Sequence, residues 1–221
     1  MRPRVKICGL TSYEDAALAL ELGADLIGFV LAPSPRRASP EAVRDIVSRL
    51  RAEGRLRQAR AVGVFVNEGA EAMAAILAYA GLDEAQVHGD ESPEACSLYP
   101  FAWYRALRVS GPGDAEGLGR LWAGSPCPRL LFDAASAGAY GGTGLRIGLD
   151  AARAAGLACR AASKEFFLAG GLGPDNVAEA IAAIGPDGID ASSALEEGPG
   201  RKSALAMRRF FEAVDSAGEA R

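Results

Sequence analysis

RVKICGLTS, residues 4–12, decides the fold. Its first five residues form a β-rich run that ends on Cys8. Gly9 breaks the strand, and Ser12, with Glu14 and Asp15 behind it, signals a helix start. A doubly wound dinucleotide-binding sheet would place G-x-G-x-x-G directly after its first strand. This strand runs into Cys8-Gly9-Leu10-Thr11 instead. Side chains alternate faces along a strand, so Val5 and Ile7 point one way and Lys6 and Cys8 the other.

The same rhythm repeats along the chain. Strands are predicted at Arg4–Cys8, Asp25–Leu31, Arg60–Val66, Glu84–Val87, Trp103–Val109, Arg129–Asp133, Glu165–Ala169 and Gly188–Ala191. Helices are predicted between and after them, at Ser12–Glu21, Ser39–Ala52, Glu71–Ala80, Ser92–Tyr99, Asp114–Trp122, Leu149–Ala155, Pro174–Ile184 and Lys202–Val214. Asp114 is read as opening the fifth helix and Gly173-Pro174-Asp175 the seventh. Strand–helix units recurring at roughly 25–30 residues predict an α/β fold, a single (β/α)8 TIM barrel domain over residues 1–221.

Composition narrows the function. The chain has 221 residues, of which 49% are hydrophobic, enough to bury a core without staples. Its formal charge of −4, with acids and bases interspersed, gives no basic face for nucleic acid and no membrane anchor. No apolar run approaches the roughly 20 residues of a membrane span, and the N-terminus lacks a secretory apolar core. The cysteines Cys8, Cys96, Cys127 and Cys159 are far apart, so free thiols in a reducing cytoplasm are expected. One histidine argues against a His-rich metal site.

A barrel of this kind builds its site at the C-terminal ends of its strands. Cys8 sits there, inside the barrel with Lys6. A buried ammonium needs a partner, and Asp190 on the eighth strand, which closes against the first, is the expected one. Cys8 alone reads equally as a small core residue. Cys96, Cys127 and Cys159 lie away from strand ends and read as inert. Asp133 ends the sixth strand facing inward, a general acid or base in waiting.

Three small-residue loops follow. Gly142, Thr143 and Gly144 lie after strand six, Gly170 and Gly171 after strand seven, and Ser192 and Ser193 after strand eight. Backbone N–H groups in such loops suit a phosphorylated substrate, and phosphate sites in these barrels commonly follow strands seven and eight. Arg36 in the APSPRR loop reads as a carboxylate fork or as half of a solvated basic pair. His88 reads as either structural or substrate-binding.

VKICGLT, GADLIGFVLAPSPR, VGVFVN, VHGDE, Asp133 followed by GGTG, LAGGLGPDNV and GIDASSALEEGPGRK occur in this order. Together they resemble the phosphoribosylanthranilate isomerase family of tryptophan biosynthesis. The resemblance implies a cofactor-free Amadori rearrangement of N-(5-phosphoribosyl)anthranilate, with Cys8 as general base and Asp133 as general acid. It also places Arg36 at the anthranilate carboxylate. Val87, residues 145–149 and Ser203 depart from the usual pattern. Other sugar-phosphate barrels are the nearest rivals. The histidine-pathway Amadori isomerase has aspartate at the position of Cys8, and a pentose-phosphate epimerase would need metal-binding histidines. A phosphate-sensing barrel without turnover is a third reading. A homodimer is left open. Lys6 is expected to lower the pKa of Cys8, and burial to raise that of Asp133.

Overall fold

The computed structural model describes residues 2–134 and 148–219. Eight parallel strands close into a barrel in sequence order. They are β1 (Arg4–Cys8), β2 (Leu26–Val30), β3 (Arg60–Phe65), β4 (Glu84–Val87), β5 (Trp103–Val109), β6 (Arg129–Ala134), β7 (Glu165–Leu168) and β8 (Gly188–Ala191). Closure is made where β8 pairs with β1, with Lys6 directly beside Asp190. Each strand is followed by a helix: α1 (Tyr13–Glu21), α2 (Pro40–Ala52), α3 (Ala70–Ala80), α4 (Pro93–Cys96), α5 (Pro112–Leu121), α6 (Leu149–Ala161), α7 (Val177–Ile184) and α8 (Ala204–Glu219). Among the described residues no helix is long and apolar enough to cross a membrane.

Strand alternation divides the core in two. Val5, Ile7, Leu130 and Phe132 join the layer between sheet and helices. Leu26, Val62, Tyr104, Ala106, Leu131, Phe167 and Ala169 fill the barrel itself. Beneath them lies a charged floor. Arg129 pairs with Glu84 at 2.9 Å and with Glu165 at 3.3 Å, and its guanidinium lies 4.9 Å from the Tyr104 ring centre. The interior is a packed solid, so a ligand meets it only at the mouth.

Helix starts follow local chemistry. Ser12 accepts a hydrogen bond from the Asp15 amide, and Ser39 accepts one from Ala42, with Pro40 in the first turn of α2. Several boundaries differ from the sequence reading. The predicted 92–99 helix shortens to α4, because Leu98 and Tyr99 bond three residues back and Pro100 disfavours helical Tyr99. The fifth helix opens at Pro112, after extended Gly111; Asp114 instead accepts from the Ser110 amide. α6 runs past Gly156 to Ala161, since Gly156 serves close packing: a Cβ there would lie 3.2 Å from the Phe166 ring. α7 starts only at Val177, because the Asn176 side chain folds 173–176 into a turn.

One feature went unread. Glu196–Gly198 (β9) and Arg201–Lys202 (β10) form an antiparallel hairpin after β8, so α8 begins at Ala204 rather than Lys202. A short 3-10 turn, Ser193–Leu195, leads into it.

Candidate active site at the barrel mouth

Lys6 is fully buried, and its Nζ donates to both oxygens of Asp190 at 3.1 Å. The expected partner is therefore present. Burial alone would depress the ammonium, but Asp190 and Cys8 hold it above the ordinary lysine range. Burial also pushes Asp190 upward against the pull of Lys6. The symmetric contact and the raised lysine make the charged pair the resting form.

Cys8 lies at the mouth end of β1, where the charge of the Lys6 ammonium acts on it. Its thiol is pushed up, because burial outweighs the lowering by Lys6 and then Lys202. The expectation of a lowered Cys8 pKa is corrected here. Lys6 acts in the predicted direction, but removal from water is the larger effect.

Asp133, at the mouth end of β6, is pushed up to about 6, first by burial and then by the charge of Asp190. The Ala134 amide, donating to it at 2.9 Å, pulls the other way. Burial acts on Asp133 as expected. Lys6 and Asp190 are the charges felt by both Cys8 and Asp133. Arg108 sits next to Asp133 in strand register and also acts on it; the sequence reading missed it. Alternation along β5 from buried Tyr104 through Ala106 was the signal for it.

His88 is buried directly after β4, and its Nε2 has no hydrogen-bond partner among the described residues. Burial, then Arg105, Lys6 and Arg108, drive its pKa down to about 3. It is a neutral imidazole with an unused polar atom.

Arg36 is less free than a solvated fork. Its Nε reaches the two Glu196 oxygens at 2.8 and 3.0 Å, and its Nη2 reaches one at 2.8 Å. The fork-like edge is thus filled by a carboxylate of the chain itself. Lys202 Nζ donates to the same Glu196 at 2.8 Å and to the Ser192 carbonyl at 3.2 Å. Neither Glu196 nor Lys202 was singled out from the sequence.

Gly170 and Gly171 have φ of 96° and 65°, the left-handed region where glycine is favoured. Asn176 holds their turn by donating to the Gly171 carbonyl at 3.0 Å and accepting from the Gly173 amide at 2.8 Å. The Ser192 hydroxyl donates to the Cys8 carbonyl at 3.0 Å, so it ties β8 to β1. Ser193 opens the 3-10 turn. Gly142, Thr143 and Gly144 lie outside the described residues. Cys96, Cys127 and Cys159 are buried free thiols.

A closed parallel barrel whose strand ends carry a thiol, a raised carboxyl and a lysine–aspartate pair has the layout of a TIM-barrel enzyme. A family model described as N-(5'phosphoribosyl)anthranilate (PRA) isomerase matches residues 5–213. The N-(5'-phosphoribosyl)anthranilate isomerase of Bordetella bronchiseptica is 41% identical over 225 aligned residues, spanning 98% of this chain and 97% of that one. The crystal structure of the Thermus thermophilus phosphoribosyl anthranilate isomerase is similar with 37% identity and a TM-score of 0.81, covering 96% of this chain and 98% of that one. A phosphoribosyl anthranilate isomerase in complex with reduced 1-(o-carboxyphenylamino)-1-deoxyribulose 5-phosphate is similar with 32% identity and a TM-score of 0.81, covering 97% and 99%. The chain belongs to the phosphoribosylanthranilate isomerase family.

Proposed function

We propose that this chain catalyses the family's rearrangement of N-(5-phosphoribosyl)anthranilate to 1-(2-carboxyphenylamino)-1-deoxyribulose 5-phosphate, a step of tryptophan biosynthesis, with Cys8 as base and Asp133 as acid. The reading is of a single barrel domain working in the cytoplasm.

Protonated Asp133 gives its proton to the ribose ring oxygen. The bond from that oxygen to C1 breaks, and the anthranilate nitrogen lone pair forms the C1 iminium. Cys8 thiolate removes the proton from C2, and the electrons flow through C1 to the nitrogen. The resulting enolamine takes a proton at C1 and loses one from its C2 hydroxyl to give the ketone. The iminium is the electron sink. Each positioned acid or base contributes about 10²–10⁴ in rate.

The observation that carries the acid assignment is the upward shift of Asp133 to about 6, at the end of a barrel strand. Burial raises Cys8 as well. The productive form, with Asp133 protonated and Cys8 ionised, is therefore a minority at neutral pH. Lys6 supports it through its positive charge near the sulfur, while Asp190 keeps Lys6 charged. The amides of the Gly170–Gly171 turn and the Ser193 turn suit the phosphate, and the orphaned His88 Nε2 suits a sugar hydroxyl.

Loss of anthranilate-type fluorescence during incubation with phosphoribosylanthranilate tests the reading. Wild type should turn over, and Cys8→Ala and Asp133→Ala should each nearly stop. Undiminished rates in both variants would overturn the mechanism.

A further inference from the structure

Arg36, Glu196 and Lys202 form a buried trio across the loops after β2 and β8. Their side chains are 13%, 4% and 0% exposed. Two cations share one carboxylate, which leaves a formal surplus of one positive charge. Burial works against the Glu196 carboxylate, but the hydrogen bonds from Arg36 and Lys202 win and hold it below the ordinary glutamate range. Glu196 is thus an ionised anchor rather than a proton carrier.

Its grip on Arg36 is directional. A guanidinium is planar, with its donors in a fixed fork. Glu196 takes the Nε–Nη2 edge. The Nη1 atom has no acceptor among the described residues' hydrogen bonds, which leaves the end formed by Nη1 and the second Nη2 hydrogen. The stem of Arg36 passes close over the turn after Cys8: a Cβ on Gly9 would lie 2.8 Å from Arg36 Cδ. The stem of Arg36 is therefore stationed over the turn that follows the proposed base.

We propose that Glu196 is a positioning residue: it fixes Arg36 so that the free end of the guanidinium faces the anthranilate carboxylate, and Lys202 fixes Glu196 in turn. This deepens the isomerase reading and rests on it. A substrate lacking the carboxylate gains nothing from this arrangement. The β9–β10 hairpin, which carries Glu196 and Lys202, is on this reading the element that sets preference for the aryl group.

The test measures binding rather than turnover. Two probes are titrated by calorimetry: the product analogue reduced 1-(o-carboxyphenylamino)-1-deoxyribulose 5-phosphate, and its counterpart without the carboxyl group. Wild type should bind the carboxylated probe more tightly. Glu196→Gln should weaken that probe by about 10- to 100-fold, the range seen when a partner behind a ligating group is lost. The decarboxylated probe should be almost unaffected. Arg36→Met should show the same selective loss, and the Glu196→Gln/Arg36→Met pair should lose no more than Arg36→Met alone. With substrate, Glu196→Gln should raise KM more than it lowers kcat. Where Glu196→Gln fails to fold, Glu196→Asp, which keeps the charge but shortens its reach, decides by an intermediate loss of the same selectivity. Equal weakening of both probes, or additive losses, would overturn the positioning role and leave the isomerase reading standing. A wild type that binds neither probe would overturn the isomerase reading, and this proposal with it.

Discussion

Asp133→Asn should produce a barrel that is inactive yet more stable at neutral pH. The carboxyl rises from 3.8 to about 6 on folding. A carboxyl that binds its proton more tightly when folded stabilises the native state below its unfolded pKa. It withdraws that contribution as pH climbs through the folded value. At 1.36 kcal/mol per pKa unit, a rise of roughly two units makes ionised Asp133 a liability of about 3 kcal/mol above neutrality. Asp133 keeps some contact with water, which makes that figure a ceiling. Asparagine has the same shape and no charge to bury. Urea denaturation of both proteins at about pH 7.5 should show the variant ahead by up to this amount. The gap should close as pH falls from about 6 toward 3.8, because wild type then buries a neutral acid too. The other carboxylates are common to both proteins and cancel. Equal stability at neutral pH, or a gap that persists in acid, would refute the idea that burial sets the Asp133 pKa.

Lys6→Met strands Asp190 in the barrel and should cost about 3–5 kcal/mol, whereas Lys6→Met/Asp190→Leu should recover most of it; equilibrium unfolding of the two variants checks this. The same Lys6→Met protein should show the Cys8 thiol titrating higher still, and an unmoved pKa would discard the Lys6–thiol coupling. Gly28→Ala would put a methyl 3.0 Å from Cys8 Sγ and 3.1 Å from Lys6 Nζ. It should destabilise by about 1–3 kcal/mol through overpacking and cut kcat by disturbing the base, as unfolding curves and steady-state rates would reveal. The single histidine gives one imidazole Hε1 signal by NMR. That signal should stay flat between about pH 5 and 8, because His88 is driven down to about 3; a midpoint near 6.5 would contradict its burial.

Much of this architecture is written in short-range signals. Alternation in RVKIC and RLLFD sorted inward from outward side chains, and barrel closure brought Lys6 to Asp190 across 184 residues. Punctuation was less reliable. The helix predicted to end at Ala155 runs on through Gly156, a contact surface for Phe166, while Pro174 looked like a start and lies in a turn shaped by Asn176. The Glu196–Lys202 hairpin has strands of three and two residues, too short for any period to show. Its reach to Arg36 spans 160 residues and depends on the assembled barrel. The direction of the Cys8 shift was misjudged for a similar reason. Charge neighbours can be guessed from alternation, but depth of burial depends on everything packed around the sulfur.

Arg129 and its carboxylates, under the Tyr104 and Phe167 rings, make the molecule a cup rather than a tube. A cup has a single rim. Sugar, aryl group and phosphate must share that rim on arrival, and product must leave over it before the next molecule enters. With the interior filled, a substrate that lands reversed finds no room below the rim in which to turn. Orientation is therefore sorted at the lip, by the side chains that first meet the incoming charges.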